Sequence, residues 1–93
     1  MARAIPLTTG TGDVQASTGA CTLVGFSARE TVGSASADVT LRDGTDATGA
    51  IKAILRLAAN GSQAAQIPPV DFATGVFVDR SGTGSSELVL YVQ

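Results

Sequence analysis

Glycine and proline interrupt this sequence at short intervals, and that punctuation limits what the chain can fold into. Turn signals fall at Thr9-Gly10-Thr11-Gly12-Asp13, Ser17-Thr18-Gly19, Val32-Gly33-Ser34 and Asp43-Gly44-Thr45-Asp46. They recur at Asn60-Gly61-Ser62, Pro68-Pro69, Thr74-Gly75 and Ser81-Gly82-Thr83-Gly84. Breaks spaced by roughly 8–12 residues leave room for short strands and predict a sandwich or barrel. With 93 residues in total, the chain has length for one domain and one modest core.

The segments between turns alternate as half-buried strands do. In Ser36-Ala37-Asp38-Val39-Thr40-Leu41-Arg42, the residues Ala37, Val39 and Leu41 share one face and the polar residues the other. In Thr22–Arg29 the same rule puts Val24, Phe26 and Ala28 on one face and Leu23 on the other. The segment Ala50–Ala59 reads two ways. Ile51, Ala53, Leu55 and Leu57 fit a strand; Ile51, Ile54, Leu55 and Ala58 fit a helix, which the alanine content favours. An otherwise all-β context decides for strand. The prediction is an all-β, small antiparallel β-sandwich, jelly-roll-like, of about 7–8 short strands. These are expected near Arg3–Leu7, Val14–Ser17, Cys21–Glu30, Ala35–Arg42, Ala50–Leu57, Gln63–Ile67, Val76–Arg80 and Glu87–Val92. Residues 1–20 are small and polar apart from Ile5 and Leu7, and read as an N-terminal arm or as weak first strands. Residues 21–93 read as the sandwich itself.

Charge and cysteine content narrow the function classes. Only 15% of residues are charged, against about 25% in typical domains, so Ser, Thr, Gly and Ala cover much of the surface. Such a surface resists association weakly, because few charges must be desolvated on contact. The net charge is −2 and the six Lys and Arg are scattered from Arg3 to Arg80, which argues against nucleic-acid and anionic-membrane partners. No apolar run is long enough to cross a bilayer as a helix, and Met1-Ala2-Arg3-Ala4-Ile5-Pro6 reads as no signal peptide. The lone Cys21 allows no internal disulfide, which fits a reducing compartment, and its place before Thr22-Leu23-Val24 suggests a buried small apolar residue.

Catalytic equipment is sparse. The chain has no histidine, no cysteine pair for zinc and no phosphate-cradling loop carrying lysine. Its eight carboxylates mostly sit in or beside turns, where Asp bonds local backbone. Asp43-Gly44-Thr45-Asp46 supplies too few oxygens for calcium and is expected to be a turn. Asn60-Gly61 reads as a tight hairpin turn rather than a glycosylation site. The expectation is therefore no enzyme, no cofactor and no metal. A carbohydrate-binding module is a rival, since small β-sandwiches often bind sugars, yet Tyr91 and Phe77 alone make a thin aromatic platform.

The positive signal lies in strands apolar on both sides. Leu88, Leu90 and Val92 can fill the core, which leaves Val89 and Tyr91 pointing away; Phe77 stands likewise between Val76 and Val78. Such strands want cover on both faces. Phe77, Val89 and Tyr91 are thus candidate interface residues. Ile5 and Leu7 join them, because Arg3–Leu7 is placed to add as a strand to a neighbouring subunit.

Four strings stand out: Thr22-Leu23-Val24-Gly25-Phe26-Ser27-Ala28-Arg29-Glu30-Thr31 and Leu41-Arg42-Asp43-Gly44-Thr45-Asp46-Ala47-Thr48-Gly49, with Ile54-Leu55-Arg56-Leu57-Ala58-Ala59 and Thr74-Gly75-Val76-Phe77-Val78-Asp79. They resemble small β-rich virion proteins of tailed bacteriophages. The resemblance runs from about Cys21 to the C-terminus and rests on strands and turns. It implies a head decoration (capsid cement) protein, or else a minor tail or head–tail component. It further implies a major capsid protein as partner, self-association as a homotrimer, and a place on the capsid surface after assembly in the bacterial host cytoplasm. It carries over no catalytic residue.

Overall fold

Long-range pairing, rather than simple neighbour-to-neighbour hairpins, organises the chain. The computed structural model describes residues 3–93; Met1 and Ala2, the first residues of the expected arm, lie outside the described residues. Eight strands follow one another: β1 (Arg3–Pro6), β2 (Val14–Thr18), β3 (Cys21–Glu30), β4 (Ala37–Asp43), β5 (Ala50–Leu57), β6 (Ser62–Phe72), β7 (Gly75–Gly82) and β8 (Ser86–Val92). The first sheet has the order β1-β8-β3-β6 and the second β2-β7-β4-β5. Every pairing is antiparallel. Partners 1 and 8, 2 and 7, 3 and 6, 4 and 5 nest inside one another, as in a long hairpin rolled up on itself. That order is a jelly roll. The molecule measures 35 × 26 × 19 Å; its thinnest dimension accommodates two sheets about 10 Å apart with their outer side chains.

Alternation in the strands builds the core. Leu88, Leu90 and Val92 of β8 face Val39 and Leu41 of β4, Leu55 and Leu57 of β5, and Val76 and Val78 of β7 across the interior, all at most 3% exposed. Phe72 closes one end of this cluster at 1% exposure, and Phe26 packs against it from β3. The segment Ala50–Leu57 is a strand. Leu55 and Leu57 are buried, whereas Ile54, which a helix would have turned inward, is 71% exposed.

β-bulges alter which residues face in. One bulge in β3 lies between Leu23 and Gly25. The extra residue resets the alternation, so Leu23 joins Phe26 and Ala28 inside and Val24 turns outward. The simple period-two reading of Thr22–Arg29 is corrected accordingly. A second irregularity pairs Leu41 with Ala53 but Arg42 with Ile51 and leaves Lys52 as the extra residue. Pro68-Pro69 is no turn between strands but part of β6, opposite the β3 bulge, where the ladder is already interrupted. Proline is tolerated there because β6 is an edge strand. Asn60-Gly61 does form a turn, with Asn60 at φ 57° and the Gly61 N–H donating to the Ala58 carbonyl, but it is not the expected hairpin: it carries the chain from β5 in the second sheet to β6 in the first.

The described part of the N-terminal segment forms first strands of the sandwich. β1 pairs with β8 of its own chain, the Leu7 N–H donates to the Leu88 carbonyl at 2.9 Å, and Gly10 bridges to Ser86. β2 pairs with β7. The expected reach of Arg3–Leu7 towards a neighbouring subunit is replaced by this internal pairing, because Ile5 and Leu7 supply apolar cover to the chain's own core.

Candidate functional site

The outer face of the first sheet is the surface that alternation leaves without cover. In register across β1, β8, β3 and β6 it presents Ala4, Tyr91, Gly25 and Gln66 in one row. The next row presents Pro6, Val89, Ser27 and Ala64. Val24 joins them through the bulge. At one end of the face Arg29 and Glu87 form an ion pair at 3.0 Å. At the other end Asp71 accepts a hydrogen bond from the Thr22 hydroxyl at 2.8 Å. Among the described residues, the rows between these ends carry no formal charge.

Relief on this face comes from residue size. A Cβ at Gly25 would stand 2.8 Å from the Ala65 carbonyl oxygen, so β3 and β6 approach closely there only because the residue is glycine. The Tyr91 ring leans towards the same spot, its Cδ2 3.6 Å from the Cβ position, and its hydroxyl lies 3.4 Å from Ser27 Oγ. Shallow depressions open on either side of Ser27 and Ala64, one walled by Tyr91 and Gln66 and the other by Val89 and Glu87. Tyr91 of β8 thus lies over Gly25 and reaches towards Ser27 on β3.

The five residues singled out from sequence do not form one patch. Val89 and Tyr91 lie on this outer face, with Tyr91 37% exposed. Phe77 is half-buried on the outer face of the second sheet, in register with Gln15 and Arg42. The sandwich therefore stands between Phe77 and Tyr91, and a two-ring sugar platform built from them is excluded by geometry. Ile5 and Leu7 pack on the core, and Leu7 is 9% exposed. Sequence reading missed Val24, whose exposure follows from a bulge. It also missed Ile51 and Ile54, exposed at 52% and 71% on the second sheet's outer face. Around these two, charges are paired: Arg42 with Asp79 at 3.0 Å and Arg56 with Asp38 at 2.8 Å.

Charged groups tie the connections down. Glu30, 3% exposed, accepts N–H bonds from Val32, Gly33, Asn60 and Ser85, and so joins three separate connections at one end. These bonds, led by that from Asn60, outweigh desolvation and hold its carboxyl at about 2, below the ordinary 4.5. Asp43 does the same at the opposite end, accepting from Ala73, Thr74 and Gly75, with its pKa lowered first by the Thr74 bond. Asp46 accepts from the Thr48 hydroxyl and N–H. The Asp43–Asp46 carboxylates are thus engaged by the protein itself. Arg80, 7% exposed, points between the sheets and donates to the Thr8 carbonyl at 2.7 Å. Burial lowers its pKa, opposed by the nearby Asp13 carboxylate, which accepts the Arg80 backbone N–H. Cys21 is only half-buried, with its Sγ 3.6 Å from Ser17 Oγ, so it is less enclosed than its sequence context suggests.

Comparison with known protein families, with characterised proteins and with solved structures returns no match to this chain.

Proposed function

We propose that this chain is a virion structural protein of the head-decoration type, which stabilises a phage capsid by protein–protein contact. The observation that carries this reading is the uncharged, preformed outer face of the first sheet around Val89, Tyr91 and Gly25. A face with no charge to strip of water is suited to burial against protein. Because Glu30, Asp43 and Arg80 already fix the connections, the chain spends little ordering entropy on docking. The jelly roll serves viral capsid and lectin domains alike, so it is compatible with this role without assigning it. The sequence resemblance to phage virion proteins adds the choice of phage head as the site of action.

Contact through faces is favoured over strand addition at edges. Each of the four edges is blunted: β1 is short and ends in Pro6, β6 contains Pro68-Pro69, and β2 and β5 carry irregularities at Ala16 and Lys52. The experiment is co-sedimentation of the purified chain with expanded capsid shells that lack it. Saturable binding to shells, with raised resistance of the shells to heat, is expected. Binding to isolated tails in place of shells, or to neither, contradicts the reading.

A further inference from the structure

We infer that Asn60 is a covalent modification site, where attack by the Gly61 nitrogen on the side-chain carboxamide slowly converts asparagine to isoaspartate and unties one end of the sandwich. Asn60 is the one asparagine in the sequence, and glycine follows it. The fold itself demands this reactive pair. Position 60 has φ 57°, a left-handed conformation that asparagine tolerates better than most residues. At Gly61 a Cβ would stand 2.9 Å from the Ala58 carbonyl oxygen, so a larger residue would force the backbone apart. Glycine also leaves its own nitrogen without a side chain to shield it. Asn60 is exposed beside a polar depression walled by Arg29, Thr31 and Ser62, so water reaches the carboxamide.

The chemistry needs only water. The Gly61 nitrogen gives its proton to hydroxide and bonds to Asn60 Cγ; ammonia leaves, taking a proton from water, and a cyclic succinimide remains. Water then opens the ring. Addition at Cγ breaks the new C–N bond and gives aspartate. Addition at the main-chain carbonyl carbon of residue 60 breaks the original peptide bond, and the chain runs on through the side chain as isoaspartate, longer by a methylene. In the closed turn the nucleophile is held. The Gly61 N–H donates to the Ala58 carbonyl at 2.8 Å, and the Gly61 carbonyl accepts the Glu30 N–H at 2.8 Å. The Glu30 carboxylate accepts the Asn60 N–H at 2.9 Å, and its charge opposes an amide anion developing next door. Reaction therefore waits for local opening of the turn, where Ala58, Ala59 and Asn60 are all exposed. The product does not close as before. The added methylene shifts residue 60 against Gly61, and either product sets a second carboxylate near that of Glu30. Glu30 then loses the bond from residue 60, which braces those it accepts from Val32, Gly33 and Ser85 at the same end.

Ageing the full chain in mildly alkaline buffer gives the test. Mass spectrometry is expected to show the gain of about one dalton that exchange of NH2 for OH brings, confined to the tryptic peptide Leu57–Arg80. Electron-transfer fragmentation of that peptide should identify isoaspartate at position 60. The folded chain is expected to react about tenfold or more slowly than the same chain unfolded in urea, because opening precedes attack. Asn60→Gly keeps the left-handed conformation, so it is expected to fold as wild type and to gain no mass at this site. In the aged protein, amide exchange at Val32, Gly33 and Ser85 should quicken several-fold, while residues 73–75, tied by Asp43 at the opposite end, keep their rates. A folded chain that gains no mass while the unfolded chain does overturns the site, and so does a gain that persists undiminished in Asn60→Gly. Equal rates in folded and unfolded chains overturn the gating by the turn. Aged protein with isoaspartate at position 60 but unchanged exchange at Val32, Gly33 and Ser85 overturns the release of Glu30.

Discussion

The β3 bulge makes a sharp prediction about two adjacent residues. Leu23 is fully buried, in register between Val92 of β8 and Val70 of β6, whereas Val24 beside it is turned outward and only half-buried. Truncating a fully enclosed leucine removes its transfer energy and leaves a cavity that strands on both sides cannot close. Leu23→Ala is therefore expected to cost about 3 kcal/mol, from the range measured for such changes. Val24→Ala removes atoms that water already reaches, and is expected to cost under about 1 kcal/mol. For a domain of this size each 1 kcal/mol lowers the melting temperature by roughly 4–8 °C, so the two variants should melt about 10 °C or more apart. Urea unfolding followed by far-ultraviolet circular dichroism gives both values, with the slope unchanged if only the native state is affected. Equal costs, or a larger cost for Val24→Ala, would refute the bulge and with it the placement of Val24 on the contact face.

Three further outcomes are expected from the charged and exposed residues. Glu30 has a folded-state pKa of about 2 against 4.5, so its stabilising contribution is complete above about pH 4.5 and is lost as pH falls towards 2. Glu30→Gln should accordingly be less stable than wild type near neutrality, with the gap narrowing on acidification; a gap independent of pH contradicts the tie, and Asp43 and Glu87, also lowered, add wild-type acid sensitivity of the same sign. Arg80→Met keeps the buried bulk and removes the bond to Thr8, so amide exchange at residues 8–13 should quicken more than in the core strands, and uniform quickening would refute a local tether. Ile54→Thr, at a site 71% exposed, should change stability by no more than about 0.5 kcal/mol, and a larger loss in thermal melts would mean that Ile54 is covered.

Much of the fold is legible in the sequence because the strands obey simple periodicity. Val39 and Leu41, Leu88 and Leu90, Leu55 and Leu57 all face in as period-two reading requires, and the boundaries of β3 and β5 match those expected. Context decides for strand over helix in Ala50–Leu57, and the core positions of Leu55 and Leu57 agree. Periodicity does not encode an inserted residue: the bulge near Val24 and the extra residue Lys52 each invert the facing of the residues beyond them. Nor does it encode pairing order, which is why Arg3–Leu7 reads as an arm although β8 is its partner. Phe77 and Tyr91 look alike in sequence as outward aromatics, yet they sit on strands of different sheets. Glu30 shows a related limit. Its bonds to Val32 and Gly33 are local and foreseeable, but those to Asn60 and Ser85 exist only because three connections meet at one end of the sandwich.

The central claim is that this chain works by burying the uncharged outer face of its first sheet against protein on a phage head. Cryo-electron microscopy of the assembled particle tests it most directly. The account predicts density for the jelly roll on the head shell, with Tyr91 and Val89 enclosed at a protein contact. Copies found only in the tail or nowhere on the particle, or a head-bound copy whose Tyr91 face looks into solvent, would contradict it.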